Sequence, residues 1–393
     1  MAELPGWLKA VMLGQLVSSA GSLAWIYLTL YLVEDRGMSP QQAGFAAAAY
    51  GVGLLLGNLS GGWFGDRFGL RTAAVASQLT WAVACLAMPL VPVGALAAVA
   101  AIAGLCGGAT RPNLSALVAT ALPADRRREG IALSRSASNA GFTIGPPLGG
   151  LLAAYDFSLV FVVDAVSSVI LAAVIWRYVP SATRVVSAHV SGVLRALRQD
   201  KSILVLLASI VVIDTVYRQL FATLPLLLRD AGSPAVAYGV LIGLSSVVIV
   251  LLEAPLAIRL RNHHASRVIA IGFALVAVGL AVLGIWPALV GAAIAVAVIT
   301  AGEMLYKPTA TAQVADAAPD GMTGRFSSLY AAASISGMTL APALGGTTYQ
   351  HHPRLLFPLA AVLALVAAVA VYLGTTSRRR SSVAAAAPAR STG

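Results

Sequence analysis

Apolar residues in this chain come in long runs, without the alternation of a half-buried strand and with few of the polar stripes of a soluble helix. A helix needs about 20 such residues to cross the hydrocarbon core of a bilayer. Twelve runs meet that length, near 8–33, 41–64, 72–91, 94–121, 130–153, 157–178, 203–228, 236–258, 268–286, 288–315, 326–348 and 354–374. Glycine and proline interrupt many of them. Membrane helices tolerate this because neighbouring helices satisfy the freed backbone groups. The pattern predicts an all-α membrane protein of twelve transmembrane helices. The first run has no small-residue cleavage site after a short apolar core, so it reads as a retained helix.

The runs repeat. IGPPLGG at 144–150 returns as LAPALGG at 340–346, and Arg111-Pro112 returns as Lys307-Pro308, a shift of 307 − 111 = 196 residues. The same shift carries Pro123 onto Pro319 and Arg71 onto Arg267. One constant offset across most of a half-chain implies two pseudo-symmetric six-helix bundles around a midplane site. The expected organisation is an N-terminal bundle at 1–178, a cytoplasmic linker at 179–201, a C-terminal bundle at 202–374 and a disordered cytoplasmic tail at 375–393.

Composition supports the membrane reading: 10% of residues are charged and 59% apolar, against roughly 25% charged in soluble domains. With the N-terminus inside, 19 lysines and arginines fall in cytoplasmic segments and 3 in outer loops. The positive-inside rule then puts both termini in the cytoplasm of a multi-pass protein of the bacterial inner membrane. The net charge of +11 reflects this bias and the pull of anionic lipid, and calls for no nucleic-acid partner. Cys85 and Cys106 lie inside runs and form no disulfide framework. No phosphate-binding loop, metal-ligand cluster or nucleophile with its base occurs, so neither an enzyme nor an ATP-driven pump is expected, and no cofactor.

Eight ionisable residues remain inside the runs: Arg111, Arg135, Asp164, Asp214, Arg218, Glu253, Glu303 and Lys307. Each would cost about 2.5–3.5 kcal/mol at the centre of a lone helix. Asp214 and Arg218 are four residues apart, as are Glu303 and Lys307, and that spacing predicts two pairs on helix faces. Arg111 and Lys307, equivalent under the repeat, are expected to face one another across the pseudo-twofold axis. Arg135 and Asn139 in the fifth run are further candidates for substrate contact. Trp25, Tyr27, Tyr31, Tyr50, Tyr217 and Tyr306 are candidate walls of a central cavity.

Three motifs carry a family resemblance. GGWFGDRFGLR at 61–71 resembles the loop signature of the major facilitator superfamily at Gly62, Asp66, Arg67, Gly69 and Arg71. GFTIGPPLGG at 141–150 is similar to that superfamily's antiporter motif at Gly141, Gly145, Pro146, Gly149 and Gly150. AGEMLYKPTATAQVAD at 301–316 and GLCGGATRPNLSALV at 104–118 look like helices of LmrP-type and MdtH-type multidrug exporters. Departures are plain: Ala100 and Ala101 stand where an arginine is expected, and Ser134 where those exporters carry an acid.

The resemblance implies the twelve-helix drug:proton antiporter branch. On it, the 61–71 loop is a charge latch, the Gly-Pro motif limits leakage, and Glu303, with Asp214, couples protons. A carboxyl group in the hydrocarbon region can take up and release a proton during a cycle, while a close lysine favours its charged form. Substrate would meet Arg111, Arg218, Lys307, Tyr217, Tyr306, Asn139, Arg135 and Trp25. The expected function is proton-driven export of small amphiphilic molecules by a monomer. Its alternative, suggested by the four intramembrane cations, is a dedicated transporter of one anionic or zwitterionic metabolite or lipid precursor.

Overall fold

The computed structural model describes residues 6–121, 127–179, 201–260, 262–318 and 323–386, with the backbone alone described at 111, 115, 118–121, 127–135, 201, 254, 323–325 and 375–386. The expected linker at 179–201 therefore lies almost wholly outside the described residues. Every described element is helical: α1 (Gly6–Gly21), α2 (Ala24–Glu34), α3 (Pro40–Phe68), α4 (Leu70–Ala87), α5 (Val93–Ala121), α6 (Arg127–Tyr155), α7 (Phe157–Tyr178), α8 (Lys201–Tyr217), α9 (Gln219–Ala222), α10 (Leu224–Asp230), α11 (Ala235–Leu260), α12 (Ala265–Ile285), α13 (Leu289–Asp316), α14 (Thr323–His351) and α15 (Pro353–Ala386). The last of these continues helical backbone into the segment expected to be a disordered tail.

Among the described residues, ten segments are long and apolar enough to cross a membrane, with α1–α2 and α8–α10 each forming one segment. The two other long helices, α6 and α14, each have 29 residues. They carry the Gly-Pro motifs and are the least apolar of the set. Exposed side chains such as Leu59, Val83, Leu251, Ile258 and Val366 are the lipid-facing surface expected of such helices.

The repeat governs the architecture. Helix prolines recur at Pro112 and Pro308, and at Pro146 and Pro342. The first segment of each half is also interrupted at equivalent places: α1 ends before Ser22, and α8 before Arg218, where 22 + 196 = 218. At the first break the Ala24 N–H donates to the Asp164 carboxylate, 2.9 Å away, and the Trp81 indole N–H donates to the other carboxylate oxygen at 2.8 Å. Asp164 is buried and binds the interruption to α4 and α7.

The halves meet chiefly at two crossings, α3 with α14 and α6 with α11, with α2 also touching α9 and α10. At the first, the backbones touch. A Cβ on Gly44 would lie 2.3 Å from the Pro342 carbonyl oxygen, and one on Gly346 would lie 2.3 Å from that of Pro40. Without hydrophobic drive between helices in lipid, such close approach through small residues supplies the packing that joins them. The second crossing sets Gly239 and Gly243 on Pro146 and Pro147, and the Tyr27 hydroxyl donates to the Pro146 carbonyl at 2.6 Å. Both crossings lie at the ends of these helices away from the 61–71 loop. The Gln41 N–H bonded to the Gln350 side chain (3.0 Å) continues the contact there.

Candidate functional site

Where α2, α3, α8–α9 and α14 converge between the halves, a narrow cleft, part of it open to solvent, is lined by Trp25, Thr29, Tyr50, Arg218, Phe221 and Met338, among others. Its neighbour, sharing Trp25, Leu28 and Tyr50, runs toward Trp81, Cys85 and Phe161 and is wholly apolar in character. Trp25 anchors the wall, its ring 5.0 Å from Phe221 and stacked at 6.0 Å with Phe142.

Two carboxylates stand behind the Arg218 side of this cavity. Glu303 on α13 pairs with Lys307 at 2.5 Å, as the spacing predicts, and also accepts a hydrogen bond from the Tyr217 hydroxyl at 2.7 Å. Lys307 lies 4.2 Å from the centre of the Tyr217 ring. Asp214 on α8 is fully buried. It accepts the Tyr306 hydroxyl at 2.8 Å and the Ser334 hydroxyl from α14.

The predicted Asp214–Arg218 pair is not formed. The interruption after Tyr217 turns Arg218 toward the cavity, where its guanidinium carbon lies 5.7–5.9 Å from the rings of Trp25, Tyr217 and Phe221. Its Nε is buried and without an acceptor. The spacing argument assumed a continuous helix and could not register Tyr306 and Ser334, which arrive from α13 and α14.

The remaining candidates divide. Trp25 and Arg218 line the cavity, while Tyr217, Tyr306 and Lys307 form the polar layer behind it. Asn139 is exposed on α6 and lines neither cavity. The side chains of Arg111 and Arg135 lie outside the described residues, so the proposed facing of Arg111 and Lys307 has no geometry. Tyr27 and Tyr31, expected as walls, are packing residues that donate to the carbonyls of Pro146 and Met88. Tyr50 does line the cavity. Phe221 and Met338 are lining residues that the sequence did not single out; the aromatic content of the seventh run was a signal for Phe221, and Met338 in the eleventh run had none.

In the 61–71 loop, Gly69 adopts φ +88° and makes the turn from α3 to α4. The Arg71 guanidinium donates to the Trp176 carbonyl and lies 4.5 Å from the Trp176 ring, while Arg67 rests 5.8 Å from the Trp63 and Phe68 rings. In the Gly-Pro motif, Gly141 and Gly145 abut the α1 backbone, and Gly149 and Gly150 abut Tyr27. Gly62 faces open space.

The model of the Major Facilitator Superfamily matches residues 11–334, most of the chain. The chain belongs to this superfamily. Over 387 residues it is 23% identical to the uncharacterized MFS-type transporter YttB of Bacillus subtilis, covering 96% of this chain and 97% of that one. A shorter match, 31% identical over 151 residues, is to the probable galactarate/D-glucarate transporter GudP of the same organism, covering 36% of this chain and 33% of that protein. The fold superposes on a crystal structure of an auto-inhibited POT family peptide transporter with a TM-score of 0.79 at 16% identity, covering 95% of this chain and 97% of that one.

Further solved structures with this fold are likewise POT-family transporters. The assignment to the drug:proton antiporter branch, with its multidrug efflux and antiport, is therefore corrected. A physical reason lies in the site. Glu303 and Asp214 each already hold two hydrogen-bonding partners, and no carboxylate lines the cavity among the described residues. The protein is a multi-pass membrane transporter, not an enzyme.

Proposed function

We propose that this protein is a proton-coupled symporter of one small anionic or zwitterionic metabolite, carried by alternating access between two six-helix bundles. The observation that carries the reading is Arg218, a cation in the cavity between the halves with no carboxylate partner among the described residues. A half-buried cation within a membrane span is costly unless an anion completes it. In support, GudP is named for galactarate and D-glucarate and the solved neighbours for peptides, solutes that carry at least one carboxylate.

In this reading α6 and α14 complete a set of twelve spans, 1–178 and 202–374 are the two bundles, and 179–201 and 375–393 face the cytoplasm with both termini. Glu303 is the proton-coupling group and Asp214 its partner site, while Arg218 supplies the positive charge of the central cavity. The loop at Asp66, Arg67 and Arg71 governs closure of the inner end. The protein works as a monomer.

The test uses purified protein in liposomes with a luminal pH dye and an imposed gradient, acid outside. Members of a panel of small organic anions and zwitterions should each be scored for entry of protons with the solute. At least one should give coupled flux and lipophilic cations none. Glu303→Gln, which keeps the shape and removes the titratable group, should abolish uphill uptake and preserve binding. Flux with lipophilic cations alone would overturn the reading.

A further inference from the structure

Resting on that reading, we infer that the substrate is a flat aromatic monocarboxylate, its carboxylate held by the edge of Arg218 and its ring by Trp25, Tyr50 and Phe221. The argument begins with what the guanidinium has and lacks. Three aromatic rings within 6 Å offer their faces to it, contacts that favour the cation but accept none of its N–H bonds. Arg218 Nε has no acceptor. A guanidinium held in this way presents a planar fork that matches one carboxylate through two parallel hydrogen bonds.

The rest of the cavity limits the remainder of the ligand. Beyond Arg218, the polar groups lining it among the described residues are the Thr29 and Tyr50 hydroxyls and the Trp25 indole N–H, and the other lining groups are aromatic or aliphatic. A second carboxylate, or the several hydroxyls of a sugar acid, would be buried there without enough partners, at a cost comparable to lost hydrogen bonds. An ammonium group fares no better. Glu303 is taken by Lys307 and Tyr217, and Asp214 by Tyr306 and Ser334. A zwitterion's ammonium would have to share a carboxylate that already holds two partners and lies behind the lining. A single anionic group on an apolar, flat body leaves both sets of partners intact, and the adjoining lining toward Trp81 and Phe161 is apolar.

The experiment is equilibrium binding to purified protein in lipid nanodiscs, with benzoate as the probe and dialanine and D-glucarate as competitors. Benzoate should bind, and the other two should compete at least tenfold less well. Arg218→Gln should weaken benzoate by roughly 10- to 100-fold, the scale of a lost charge-assisted pair, and Arg218→Lys should recover only part of that. Phe221→Leu, which leaves every charge in place, should weaken benzoate relative to acetate, so the inference stays open to refutation if the arginine variants fail to fold.

Tighter, Arg218-dependent binding of dialanine or glucarate would overturn the aromatic monocarboxylate and leave the anion-symport reading standing. Benzoate bound equally by Arg218→Gln and the unsubstituted protein would overturn the assignment of Arg218. Binding of none of the three, together with proton flux driven by lipophilic cations alone, would remove both.

Discussion

The crossing of α3 and α14 permits a direct test of alternating access. Gly346→Ala places a methyl group 2.3 Å from the Pro40 carbonyl oxygen and 3.1 Å from the Gly44 Cα. Ordinary contact begins near 3.4 Å, so the two backbones must separate by about 1 Å. Both obstacles are backbone atoms, which no rotamer change can move. Overpacking of this kind typically costs about 1–3 kcal/mol. The cost falls only on the state in which this end is closed, because opening separates the two helices. The closed-to-open ratio should therefore fall by roughly 5- to 150-fold. Cys85 and Cys106 are buried, so spin labels can be placed on cysteines introduced at the exposed positions Phe45 and Arg354. Electron double resonance should show a longer-distance population in Gly346→Ala that is minor in the unsubstituted protein. Gly44→Ala, meeting Pro342 at the same distance, should do the same. An unchanged distance distribution in both variants would refute the claim that this contact holds the end shut.

Two further substitutions test the polar layer. Tyr306→Phe removes one of the two hydroxyls on Asp214 and should lower stability by about 1–3 kcal/mol, read as a lower melting temperature in detergent; an unchanged melting temperature would mean that the bond contributes nothing net. Asp164→Asn keeps the shape but offers one acceptor to two donors, so it should lose stability on a similar scale and shift the emission of Trp81, seen by comparing it with Asp164→Asn in a Trp81→Phe background. No difference between those spectra would separate Asp164 from the α1–α2 break.

The repeat and the broad architecture were legible because they rest on local quantities. The length of an apolar run and the offset between like motifs require no partner. The interruptions at Ser22 and Arg218 obey the same 196-residue offset, although no motif marks either and the sequence did not announce them. What makes those breaks tolerable is not local. The freed Ala24 N–H is satisfied by Asp164, 140 positions away, and no reading of the first run could supply it. Asp214 shows the same limit from the other side. The four-residue spacing to Arg218 predicts a pair, but the helix is interrupted between them, and two hydroxyls from other helices reach the carboxylate first. Glu303 and Lys307 lie on an unbroken stretch of α13, and there the spacing rule held.

The mistaken branch has a physical origin too. Gly141, Gly145, Pro146, Gly149 and Gly150 are packing devices: they seat α6 on α1 and place Tyr27 and Gly239 against it. A carrier of any solute that must slide one half on the other needs such surfaces, so they report on how the helices move and contain no information about cargo. Cargo is specified by what remains unsatisfied at the cavity. That quantity becomes visible only after every partner has been assigned, and at the cavity it is the cation Arg218, while both nearby acids are already occupied. An exporter of lipophilic cations needs the reverse arrangement, a free acid against apolar walls. The departures at Ala100–Ala101 and at Ser134 put a preference for cationic drugs in doubt from the sequence alone, since the one arginine and the one acid of those exporters are absent there.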